Sequence, residues 1–170
     1  MKDTVKLLRK WTSCFLKVNY DLGAKELRAQ IWKIDCGFVL ERYGELNMDK
    51  FSSCFTGTHG VKMSLFSFDE DMSPVDVIKK MKNVQYRQAE LREFLAFSVK
   101  CLEEKLRRKL IVILGTKWRC EKDKKSLMHA VLRKKILRPA YYYKNRYGKN
   151  SRPRKWPKGT LFLGVHEPSL

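Results

Sequence analysis

Residues 14–20, CFLKVNY, alternate: Cys14, Leu16, Val18 and Tyr20 fall on one side and Phe15, Lys17 and Asn19 on the other. That period of two predicts a half-buried strand. The turn DLG at 21–23 leads into KELRAQIWKID at 25–35, where Leu27, Ala29 and Ile31 alternate with Glu26, Arg28 and Gln30. The same stretch also fits a helix face through Leu27, Ile31 and Ile34; the alternation favours a strand. CGFVLERYG at 36–44 predicts a third strand closed by Gly44. Residues 50–55 and 61–68 read as a hairpin across TGTHG, with Val61, Met63 and Leu65 set against Lys62, Ser64 and Phe66. The first half of the chain thus predicts an antiparallel meander whose apolar face needs a cover.

The pattern then lengthens. Ser73 suits a helix cap, Pro74 the first turn, and Asp76 the positive pole three residues past the cap, predicting a short helix to about Lys82. Over 84–108, Leu91, Leu95, Leu102 and Leu106 recur with Phe94, Phe97 and Cys101 near one stripe, predicting a long amphipathic helix. LIVIL at 110–114 is apolar throughout and predicts a central strand, left by a tight exit at Gly115. KKSLMHAVLRKKILR at 124–138 has Leu127, Met128, Val131 and Leu132 at helical spacing, with a basic end stopped by Pro139. TLFLGV at 160–165 predicts a last strand. The expected fold is α+β: an antiparallel sheet under one long amphipathic helix. Residues 1–120 form the core, and 121–170 a basic helix, a basic and aromatic arm and a terminal strand packed on it.

Composition changes this picture through charge. Lys and Arg number 37 against 18 Asp and Glu, a formal net charge of +19. The excess is local. Residues 100–158 hold 21 basic and 4 acidic side chains, and 124–158 hold 13 basic side chains with no acid. Repulsion on that scale calls for a polyanion or an anionic surface.

The stretch YYYKNRYGKNSRPRKWPKG at 141–159 sets rings among these cations. Cations gain by releasing the counterions of a phosphate backbone, and rings offer flat faces to unstacked bases. The candidate nucleic-acid contacts are Arg133, Lys134, Lys135, Arg138, Tyr143, Lys144, Arg146, Tyr147, Lys149, Arg152, Arg154, Lys155, Trp156 and Lys158. Packing competes with stacking as the use of the rings, because consecutive tyrosines cannot all face one way and Trp156 can close an apolar sheet face. A basic arm with rings suits single-stranded or looped RNA better than a DNA duplex.

Catalytic chemistry is thinly represented. No CxxC pair occurs, His59, His129 and His166 have no partner at ligand spacing, and LGTKW at 114–118 lacks the glycines of a phosphate loop, so neither a metal nor a cofactor is expected. The cysteines are five, widely spaced, with no leader pattern ahead of them, predicting reduced core thiols in the cytoplasm or nucleus. No apolar run approaches the length of a membrane span.

The expected function is non-catalytic nucleic-acid binding, with RNA favoured, as a ribonucleoprotein component. One rival is a viral matrix-type structural protein that binds anionic membrane and nucleocapsid and self-assembles. A second is a nuclease built on Asp69, Asp71 and His59.

Overall fold

The computed structural model describes residues 9–23, 25–26, 29–30, 37–38, 53, 55–102, 106, 108–119, 127–133, 136–143 and 155–167. Its strands are β1 (Arg9–Asn19), β2 (Gly37–Phe38), β3 (Thr58–Ser67), β4 (Tyr86–Gln88), β5 (Ile111–Arg119), β6 (Leu127–Arg133), β7 (Ile136–Tyr143) and β8 (Leu161–His166). Among the described residues, the helices α1 (Pro74–Lys82) and α2 (Leu91–Lys100) join these strands in an α+β fold. The sheet order is β1-β3-β8-β5-β6-β7-β2.

That order is not a meander. The last strand, β8, enters the middle, antiparallel to β3 and parallel to β5 at Leu161 and Phe162. Beyond Phe162 the strands β5 and β8 part, and β4 fills the fork by pairing its Gln88 with Gly164 and its Tyr86 with His166. The sheet therefore runs across the division at residue 120, since β6, β7 and β8 all belong to it.

Both faces of the central strands are buried. Leu161, Leu163 and Val165 join Ile111, Ile113, Met63 and Leu65 under Phe94, Leu95 and Phe97 of α2. Phe162, Val112, Leu114, Val131 and Phe66 pack on the other face with Val77 and Met81 of α1, and with Trp156. A strand covered on both sides reads as an unbroken apolar run, which is why LIVIL and LFLGV stand out in the sequence. β1 is an edge strand, and only its Leu16, Val18 and Tyr20 side is buried. Helix α1 begins as its sequence predicts, with Ser73 Oγ accepting from the Asp76 amide at 3.2 Å.

Four expectations change. Residues 25, 26, 29 and 30 are helical rather than extended. β3 pairs with β1, from Arg9 opposite Ser67 to Asn19 opposite Thr58, and not with residues 50–55, of which only Ser53 and Phe55 are described. The helix expected over 84–108 holds β4 at its start, and α2 spans ten residues. The edge of β8 left open where β5 diverges draws in Tyr86–Gln88, and ladder bonds there replace a first helical turn. The helix expected over 124–138 is instead the β6–β7 hairpin, with Val131 opposite Arg138 and Arg133 opposite Ile136. Pro139 lies inside β7 opposite Ala130, past the two residues paired with β2. Proline, having no amide hydrogen, fits a strand where no neighbour asks for one.

Gly115 is not an exit from β5 but the point where β5 shifts register, between Ile113 and Lys117. Its amide donates to Ala89 O at 2.9 Å, and Thr116 Oγ1 accepts the Leu91 amide at the start of α2 at 2.7 Å. A Cβ on Gly115 would stand 2.5 Å from Ala89 O, a backbone atom that cannot rotate away. Gly115→Ala is expected to cost about 1–3 kcal/mol by forcing the β4–α2 junction off β5. Urea denaturation checks it, with Thr116→Val as the companion that removes only the hydroxyl.

Cys14 on β1 and Cys101 at the end of α2 form a disulfide, with Cα atoms 6.5 Å apart and a sequence separation of 87. This corrects the expectation of reduced thiols for that pair; Cys36, Cys54 and Cys120 lie outside the described residues. Closing so long a loop restricts the unfolded chain. Replacing both cysteines with serine is expected to lower stability by about 2–4 kcal/mol, read by denaturation under non-reducing conditions.

Candidate functional site

The expected basic surface is described only in part. Lys134, Lys135, Lys144, Arg146, Tyr147, Lys149, Arg152 and Arg154 lie outside the described residues. Arg133 ends β6, and Arg138 and Tyr143 belong to β7. Lys155 and Lys158 are exposed.

Trp156 differs from its expected use. It is 2% exposed and packs with Met72, Phe66, Phe68 and Val112. Its backbone bridges Met72 in both directions, at 2.9 and 2.8 Å. A ring so placed cannot stack on a base, so Trp156 is an anchor rather than a contact. The chain then turns at Gly159, whose φ of +76° suits glycine, and Lys158 N donates to Asp71 Oδ1 at 2.9 Å. Lys155 and Lys158 thus project from a fixed stretch of backbone on either side of a buried indole. Lys155 also borders a hollow of about 440 Å³ with Glu70, Asp76 and Lys79.

The residues of the nuclease rival do not meet. His59 lies near the start of β3, and Asp69 and Asp71 follow its far end. Eight strand residues, Gly60 to Ser67, lie between them, roughly 25 Å at about 3.3 Å per residue. Asp71 receives the Lys158 amide. Among the described residues no group of three His, Cys, Asp or Glu side chains is placed to hold a metal ion.

A different constellation lies at the other end of β8. Tyr20, Phe55, His59, Val61, Arg87, His166 and Glu167 line a cleft of about 570 Å³. The first side of it follows from TGTHG. Gly57, at φ +76°, turns the chain so that its amide donates to Asp21 Oδ1 at 2.8 Å and its carbonyl accepts from Tyr20 N at 2.9 Å. This brings Phe55 within 5.3 Å and His59 within 5.7 Å of the Tyr20 ring. His59 Nε2 lies 2.6 Å from the Thr56 carbonyl, which can only accept, so Nε2 carries the proton and Nδ1 remains an acceptor in the neutral ring. The second side follows from β4 and β8. His166 stands edge-on to Tyr86, and Glu167 N donates to Gln85 O at 2.8 Å.

The floor is ionic. Glu93, 0% exposed on α2, accepts from the Tyr20 hydroxyl, from Arg87 Nη1 at 3.0 Å and Nη2 at 2.5 Å, and from the Glu90 amide at 2.7 Å. Arg87 also pairs through Nε with Glu167 at 3.2 Å, and its guanidinium lies 4.7 Å from the centre of the Phe55 ring. Burial, and then the Glu93 carboxylate, push the Tyr20 hydroxyl well above its ordinary range, so it stays a donor. Burial alone would lower the Arg87 pKa; its hydrogen bonds to Glu93 and the attraction of that carboxylate outweigh it and raise it. The result is a fixed network that carries rings and a half-exposed carboxylate at its mouth.

Sequence reading singled out His59 only as a candidate of the nuclease rival and missed the rest of the cleft. One signal was present: Glu93 stands within the apolar positions Leu91, Phe94, Leu95 and Phe97, and a charge among buried positions asks for a partner. Among the described residues no helix is long and apolar enough to cross a membrane. No family model matches the chain, and no curated protein or solved structure matches it either.

Proposed function

We propose that this protein binds nucleic acid, RNA in preference to DNA, through its basic C-terminal segment, as a binding component rather than a catalyst. One observation carries the reading: residues 124–158 hold 13 basic side chains and no acidic one, in a chain whose first 99 residues are near neutral. A polymer with one charge per nucleotide answers such a segment along its length, and counterion release supplies the affinity. Lys155 and Lys158, held beside the buried Trp156, fit contacts to phosphate. The rings available for stacking are then Tyr143 and Tyr147, and Trp156 leaves that role.

Fluorescence anisotropy with labelled mixed-sequence single-stranded RNA, the same DNA sequence, and flotation with vesicles with and without anionic lipid test the reading together. RNA is expected to bind more tightly than DNA and to emerge intact after incubation with magnesium. Binding to anionic vesicles alone would overturn it in favour of a membrane-facing structural protein.

A further inference from the structure

The cleft at the C-terminal end of β8 has a chemistry opposite to that of the basic segment. Two carboxylates, Glu93 and Glu167, face one guanidinium, Arg87. Carboxylates thus outnumber guanidinium groups here, in a chain of net charge +19. Arg87 directs its fork at Glu93 and its Nε at Glu167, so it is not placed as a phosphate clamp. What the cleft offers a ligand is acceptors. The Glu167 side chain is 59% exposed and meets Arg87 through one oxygen, while a carboxylate has about four acceptor positions. His59 Nδ1 is a second acceptor. The rings of Tyr20, Phe55, His59 and His166 line the same cleft.

An aromatic lining with a carboxylate at the rim suits a planar ring whose edge donates hydrogen bonds side by side. A volume of about 570 Å³ is within the range of small-ligand sites and admits a nucleoside. Among the common bases, guanine presents adjacent N1–H and N2–H donors, which a carboxylate accepts as a pair. Adenine presents an acceptor at N1 and meets the carboxylate with like polarity. We infer that this cleft is a binding site for a guanine base, held by Glu167 on its donor edge and by the rings of Phe55 and His59 on its faces.

The inference does not rest on the basic segment, and its probe carries no phosphate. The full-length protein is titrated with guanosine, inosine and adenosine by calorimetry, at low and at high salt. Guanosine is expected to bind at one site with little dependence on salt. Inosine, which lacks the N2 amino group, is expected to bind about tenfold or more weakly, through the loss of one hydrogen bond to a charged acceptor. Adenosine is expected not to bind measurably.

Glu167→Gln is expected to weaken guanosine binding about tenfold or more, because the amide turns a donor toward the base. Phe55→Ala, at a side chain already 36% exposed, is expected to weaken it while circular dichroism stays that of the parent. Equal binding of guanosine and adenosine, no binding of guanosine, or unchanged binding by both variants would overturn the inference. So would saturation by arginine amide in place of guanosine, which would point to a guanidinium of a partner protein. Each of these outcomes leaves the salt-dependent binding of RNA unaffected, so the two readings fail separately.

Discussion

Replacing Arg87 with methionine lowers the stability of the folded protein by about 3–5 kcal/mol, the loss expected when one partner of a buried ion pair is removed. The reason lies in what is left behind. Glu93 is 0% exposed, and Arg87 supplies two of the hydrogen bonds that its carboxylate accepts. Methionine fills much of the arginine stem but cannot answer the charge, so Glu93 must take up a proton or draw water into the core. Denaturation in urea with Arg87→Met, Glu93→Gln and the double variant measures the coupling. The double variant is expected to be more stable than the sum of the two losses predicts, because neither change then strands a charge. Additive losses would show that Arg87 and Glu93 act independently. Arg87→Lys is expected to recover little, since an ammonium cannot span both carboxylate oxygens and Glu167 at once.

The second large effect is on RNA binding. For a footprint of about eight phosphates, a fourfold rise in salt lowers affinity for a single strand on the order of 10³-fold. Replacing Arg152, Arg154 and Lys155 with glutamine is expected to flatten the plot of log affinity against log salt by about 0.7 for each phosphate no longer neutralised. Trp156 is kept in this series, because removing a buried indole leaves a cavity and unfolding would pass for weakened binding. Tyr147→Ala is expected to weaken binding without changing the slope, which is how a stacked ring differs from a cation on phosphate. A slope unchanged by all three neutralisations would remove the basic segment from the binding surface.

Which parts were legible follows from how each element is stabilised. β5 and β8 are buried on both faces, so their apolar runs announce them whatever surrounds them. β1 shows its half-burial in the alternation of Leu16, Val18 and Tyr20 with Phe15, Lys17 and Asn19. The start of α1 rests on a bond between neighbours, Ser73 to Asp76. By contrast, LMHAVLR carries apolar side chains at both helical and strand spacing, and pairing with β5 decides for the strand. Tyr86–Gln88 look like the head of a helix until the open edge of β8 is known.

The cleft was the least legible feature. Tyr20, Phe55 and His59, Arg87 and Glu93, and His166 and Glu167 come from separate parts of the chain, and none carries a spacing that marks the others. Trp156 was ambiguous for a related reason: a ring among lysines is compatible with stacking or with packing, and only its neighbours distinguish them.

Alone, the sequence determined the doubly buried β5 and β8, the half-buried β1, the cap of α1, and the concentration of net positive charge in residues 100–158. Each of these is a property of a residue and its near neighbours along the chain. The tertiary structure decided the order of the strands, the insertion of β8 between β3 and β5, the burial of Trp156 and the assembly of an ionic cleft around Glu93. Those depend on backbone edges seeking partners and on a buried carboxylate needing donors, and such partners are specified by proximity in space rather than by separation in sequence.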